Sequence, residues 1–183
     1  MSIVALAGRR IDAPSTVPER FPAGRISVVK DRIRNQLQKV GATGLVCSAA
    51  CGSDLLALTE AGQLNIKRRV VLPFEPNKFL KTSVTDRPGD RATNWGSIFT
   101  HVIAELEPAG EVIVLGGLDN QEAYAAANAR ILSEAKLLSQ QTGVAALAIC
   151  VWEGSSRGEG DLTEAFGTEA GKLGLRVLEV PTT

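Results

Sequence analysis

Short, almost unbroken apolar runs alternate along this chain with longer stretches in which apolar residues return every three or four positions. Residues 3–7 (IVALA), 45–47 (LVC), 69–74 (RVVLPF), 111–115 (EVIVL), 144–152 (VAALAICVW) and 176–180 (RVLEV) are the runs. Their length and near-continuous hydrophobicity suit parallel strands buried on both faces. Between them, Ile26, Val29, Ile33, Leu37 and Val40 fall at helical spacing, and Gly41 and Gly44 supply a stop. A second helix is expected from Ser53 or Asp54 to about Asn65. A third runs from Trp95 through Ile98, Val102 and Leu106. The longest, 121–141, places Tyr124, Asn128, Ile131, Ala135 and Leu138 on one stripe. Tyr124 and Asn128 there are either satisfied core groups or site groups. The last helix carries Leu162, Ala165, Phe166, Ala170 and Leu173.

Strand and helix alternate from end to end, which predicts an α/β fold: a mainly parallel sheet of about six strands with helices on both faces. Two connections are longer than such a fold needs, and long loops in compact domains are often functional. Residues 11–24 (IDAPSTVPERFPAG) hold three prolines and no periodicity. Residues 75–94 are polar and broken by Pro76, Pro88 and Gly89, yet contain Phe79, Leu80 and Val84, and are expected to form a partly ordered lid over the strand ends.

Composition narrows the class. At 183 residues and 44% hydrophobic, the chain is sized for one packed core, so 1–183 is expected to be a single domain. Lysine plus arginine balances aspartate plus glutamate at 20 each, which gives no general nucleic-acid footprint, and 4% aromatic residues offer little stacking surface for single-stranded DNA. Basic residues do gather locally, at Arg9, Arg10, Arg20, Arg25, Lys30, Arg32 and Arg34, and again at 67–69. The three cysteines, Cys47, Cys51 and Cys150, are an odd number lying in or beside the apolar runs, and read as buried small hydrophobes of a reduced compartment. No signal-peptide pattern and no apolar run of about 20 residues is present, so no membrane partner is expected and a cytoplasmic setting is.

The candidate chemistry lies at the ends of the strands. The run at 45–47 leads through Ser48, Ala49, Ala50, Cys51 and Gly52 into a helix starting at Ser53 or Asp54. A small-residue turn before a helix can expose backbone N–H groups to a phosphate; it can equally serve only to pack helix on sheet. Gly8, Arg9 and Arg10 follow the first strand, and at least one arginine is expected to face a phosphate, since its guanidinium makes two parallel bonds to one. Trp152 ends the fifth strand, either to stack on a base or to plug the edge of the core. After it, Gly158 and Gly160 would free the backbone to wrap a phosphate and Thr163 would add a hydroxyl. Asp161 and Glu164 have the spacing of a capping box, which needs no ligand, while Glu164 is also the one candidate catalytic carboxylate. Neither GxGxxG after the first strand nor GxxxxGK[ST] occurs, and His101 is the sole histidine, so no cofactor, metal or histidine triad is expected.

With these residues in view, the chain resembles the SLOG superfamily, which joins Smf-type DNA-processing proteins and Lonely guy phosphoribohydrolases. Ser48 to Asp54 look like that superfamily's small-residue turn followed by Gly-x-Asp, and GEGDLTEAF is similar to the Lonely guy motif PGGxGTxxE. In the latter the proline and paired glycines are missing, and Asp161 and Leu162 separate Gly160 from Thr163. GRRIDAP, CSAACGSD, VVLPF and VWEG together resemble the SLOG-type domains of bacterial signalling systems. The resemblance implies a Rossmann-like nucleotide-binding domain, at least a dimer, that senses a nucleotide-derived small molecule. The alternative it implies is an N-glycosidic hydrolase of nucleoside monophosphates, with Glu164 stabilising the oxocarbenium-like centre.

Overall fold

The computed structural model describes residues 1–90 and 92–183; Arg91, within the segment expected as a lid, lies outside the described residues. The apolar runs form β1 (Ser2–Gly8), β2 (Ala42–Cys47), β3 (Lys67–Leu72), β4 (Val112–Val114), β5 (Ala146–Val151) and β6 (Arg176–Val180). The helices are α1 (Ile26–Lys39), α2 (Ser53–Gln63), α3 (Pro76–Phe79), α4 (Trp95–Leu106), α5 (Gln121–Thr142) and α6 (Leu162–Lys172). All strand pairs are parallel, in the order β4-β3-β2-β1-β5-β6.

Alternating residues of each strand feed two cores, as the period of two requires. Val4 and Leu6 of β1, with Leu147 and Ile149 of β5, face α1, α2 and α4. Ile3, Ala5 and Ala7, with Ala148 and Cys150, face α5 and α6. Alanines on this second face let α5 lie close across β3, β2, β1 and β5, where Ala127, Ile131 and Ala135 are buried. Its 22 residues, about 33 Å at helical rise, carry the chain from the β4 edge to the far side of β1. The Asn120 side chain caps its start by accepting from the Ala123 N–H at 2.9 Å, and Gly143, in the left-handed region, ends it. The sheet is thus doubly wound and Rossmann-like, with helices on both faces.

The segment after β3 differs from the expected lid. It continues α3 into a wider helical turn over Leu80–Val84, and Phe79, Ser83 and Val84 are buried. Phe79 stacks on Phe99 and tilts against Phe74, which in turn meets Tyr124 edge-on. Aromatic packing makes this stretch a wall of the molecule. The cysteines are buried, with no disulfide among the described residues. Among the described residues no helix is long and apolar enough to cross a membrane.

Candidate functional site

The strand order reverses at β1, because β2, β3 and β4 follow outward on one side and β5 and β6 on the other. Open α/β sheets take ligands beyond the carboxyl ends of the strands at such a reversal. A cleft of about 420 Å³ opens there, within the size range of small-molecule sites. Residues 8–13, with Thr16 and Arg20, line it from the β1–α1 connection, and Ser48, Ala50 and Asp54 from the turn into α2. Phe79 and Arg87 close one side, Tyr124 and Asn128 of α5 another, and Arg157, Leu162 and Thr163 come from the β5–α6 connection.

Five arginines therefore converge on a molecule of zero net charge. Arg9 is almost fully buried, and its guanidinium is held on both edges. Nη1 and Nη2 meet the two Asp161 oxygens at 2.7 and 2.8 Å, Nε meets Glu153 at 2.7 Å, and Nη2 also reaches the Ser155 carbonyl at 2.9 Å. Burial works against the Arg9 charge, but the two carboxylates raise its pKa above the ordinary value. Asp161 is driven the other way: burial opposes its ionisation, yet Arg9 and the N–H groups of Arg157 and Glu164 hold it well below the usual carboxylate range. Glu153 is likewise lowered against its burial by Arg9, and it also pairs with Arg20. Arg157 is the exposed member of this group. Burial first, and then the charge of Arg9, lower its pKa from the usual arginine value. On the other side of the cleft Arg10 pairs with Asp86, which lies 3.4 Å from the Arg87 Nε as well. Among the described residues Arg9, Arg20 and Arg157 thus gather around Glu153 and Asp161, and Arg10 and Arg87 around Asp86, while the lining acids Asp12 and Asp54 form no ion pair.

The helix-start seat turns out differently from its expected role. The Ser53 N–H and hydroxyl both donate to the Arg9 carbonyl, at 3.1 and 2.8 Å, and the Cys51 N–H donates to Ser83 O. Leu55 and Leu56 N–H groups bond Ala50 and Gly52 carbonyls, and the Ala50 N–H bonds Asp54 Oδ2 at 3.2 Å. Those donors are satisfied internally, so the turn offers a ligand the Asp54 carboxylate and the edges of Ser48 and Ala50. Gly52, at φ +98°, lies so close to the 9–11 backbone that a Cβ would sit 2.9 Å from Arg9 O, and Gly8 packs against Ser53 and Val151. Of the residues singled out from the sequence, Gly8, Arg9, Arg10, Ser48, Asp54 and Thr163 line the cleft.

The others do not. Ala49, Gly52 and Ser53 are buried behind it in packing. The Trp152 ring lies under the Arg9 guanidinium, 5.5 Å from its centroid, and that cation occupies the face expected to stack on a base. Gly158, Gly160 and Glu164 line a separate shallow depression between α5 and α6, with Glu164 bonded to the Ser156 hydroxyl. The reason lies in Asp161. As the N-cap of α6 it accepts from Thr163 and Glu164 N–H groups while gripping Arg9, which turns the glycines away and leaves Arg157 at the cleft. Glu164 is therefore not placed to act on a ligand in the cleft. Tyr124 and Asn128, left open between two roles, line the cleft and are also satisfied within the chain: the Tyr124 hydroxyl bonds Ser83 and Asp119, and Asn128 donates to the Leu162 carbonyl at 3.0 Å. Arg87 and Arg157 were not singled out; their signal was an arginine within a polar connection that follows a strand end, Arg157 being the one arginine between β5 and α6.

No family model matches this chain, and neither does any curated protein. Two solved structures are similar to it. One is described as DNA processing protein A (DprA) from Streptococcus pneumoniae, at TM-score 0.42 and 13% identity, covering 97% of this chain and 58% of that one. The other is described as an uncharacterized protein from Clostridium thermocellum that binds two copies of 5-methyl-5,6,7,8-tetrahydrofolic acid, at TM-score 0.25 and 12% identity, covering 97% of this chain and 65% of that one. The chain thus spans less than two thirds of either. At these identities and TM-scores neither likeness bears on the chemistry of the cleft, which rests on its own residues.

Proposed function

We propose that residues 1–183 form one SLOG-like module that binds a nucleotide or nucleotide-derived small molecule in the cleft beyond β1 and β5, acting as a ligand sensor. The carrying observation is the gathering of five guanidiniums at the cleft, where the lining acids Asp12 and Asp54 form no ion pair with any of them and Arg157 stays half exposed. Guanidinium N–H groups that the local ion pairs leave open are met by an anion, and phosphate fits the planar fork best. Arg157, whose charge is disfavoured by burial and by Arg9, gains most from such a partner. Ala13 and Leu162 add apolar surface, and Asp54, Tyr124 and Asn128 add directional polar groups, which is the composition of a pocket for an organic phosphate. Calorimetry against nucleoside mono- and diphosphates, cyclic dinucleotides and ADP-ribose tests this. At least one is expected to bind with a dissociation constant below about 100 µM. Arg157→Ala is expected to weaken it about 10- to 100-fold, the loss of a charged hydrogen bond worth about 1.5–3 kcal/mol. Absence of binding across the panel would refute the reading.

A further inference from the structure

Asp54 is the more deeply buried of the two acids that line the cleft. The other lining acid, Asp12, accepts at Oδ2 from the N–H groups of Arg20 and Phe21 at 2.8 and 2.9 Å, which folds the β1–α1 connection. Asp54 is only 8% exposed, and among the described residues its single hydrogen bond is the one from Ala50 N–H to Oδ2. Oδ1 receives none. No arginine of the cleft comes within ion-pair distance of it, because Arg10 is drawn off to Asp86. On α5, the Asn128 side-chain amide gives its N–H to the Leu162 carbonyl, so that its oxygen is again an acceptor. Acceptors amid cations select a ligand with O–H donors in its middle and negative charge at its ends.

Resting on the nucleotide-binding reading above, we propose that Asp54 accepts the vicinal hydroxyls of the ligand's ribose while the cleft arginines take its phosphate, so that Asp54 makes the site selective for ribo- over deoxyribonucleotides. An ionised carboxylate accepts only, with about four lone-pair sites, of which Ala50 uses one. A vicinal diol supplies two donors to the remainder. Where the hydroxyls are missing, a largely buried acceptor stays unpaired, and specificity follows from that penalty.

The test is calorimetry at pH 8 with ADP and 2′,3′-dideoxy-ADP on the wild-type chain and on Asp54→Asn. The asparagine can keep its oxygen on the Ala50 N–H and turn an N–H₂ donor to the cleft, which reverses the hydrogen-bond sense at nearly constant shape. The wild type is expected to prefer ADP by about 10- to 100-fold. In Asp54→Asn the preference collapses through lost ADP affinity, with dideoxy-ADP little changed. Arg157→Ala is expected to lower both nucleotides together and keep their ratio, a split that general loosening of the cleft would not give. Equal wild-type binding of the two nucleotides overturns the role of Asp54 and leaves nucleotide binding standing. Undiminished selectivity in Asp54→Asn overturns it as well. Binding of neither nucleotide by the wild type overturns the role of Asp54 together with the phosphate site it depends on.

Discussion

Asp54 is expensive to keep. Burial pushes its pKa up to about 7, against the pull of the Ala50 N–H and the Arg10 charge. Above the ordinary value of 3.8 an unfolded chain has released this proton, while the folded chain holds it until about pH 7. The associated stability is therefore fully present below about pH 4, declines as pH rises, and is gone above about pH 7. Asp54→Asn is expected to raise stability at pH 8 by up to about 4 kcal/mol and to leave it nearly unchanged at pH 4, measured by urea unfolding at both. Residues that cost the fold and face a cleft are where function is to be sought. Arg9 is the contrasting case, since it serves the fold. Arg9→Ala would remove the buried partner shared by Glu153 and Asp161, and is expected to cost about 3–5 kcal/mol. Its partner Asp161 has a lowered pKa, so that contribution is present above about pH 4 and is lost as pH falls further. Nothing in the sequence separates Arg9 from Arg10, because the difference lies in partners more than 140 residues away for one and at Asp86 for the other.

Two junctions set the geometry of the cleft. The turn into α2 was legible as a small-residue strand-to-helix junction, and it forms at the expected place with α2 starting at Ser53. Its use was not legible, since the same pattern serves close packing and phosphate binding, and here the 9–11 backbone and Ser83 take the donors. Gly52→Ala tests this. A Cβ there meets Arg9 O and Ile11 N at 2.9 Å at a φ of +98°, and the variant is expected to lose at least about 2 kcal/mol in thermal or urea unfolding, displacing the loop that carries Arg10. At the β5–α6 junction the capping-box spacing of Asp161 and Glu164 was visible, and Asp161 is indeed the cap. The ion pair that ties this cap to β1 could not be seen in a local pattern. It is what decides that Arg157 and Thr163, and not Gly158 and Gly160, reach the cleft.

At the scale of the molecule, the alternation of runs gave the α/β class and all six strands, with β6 at its expected bounds and α5 within a residue. Strand order was beyond it, because buried parallel strands share one composition whichever neighbour they pair with. That order creates the reversal between β1 and β5, gathers arginines from three separate connections, and makes a cleft lined by five guanidiniums on a neutral protein. Backbone amide mapping by NMR with ADP as titrant tests this claim most directly. Shifts centred on Gly8 to Arg10, Ser48 to Asp54, Tyr124, Asn128, Arg157 and Thr163 are the predicted result. No shifts at millimolar ADP, or shifts centred on the groove between α2 and α4 around His101, would contradict it.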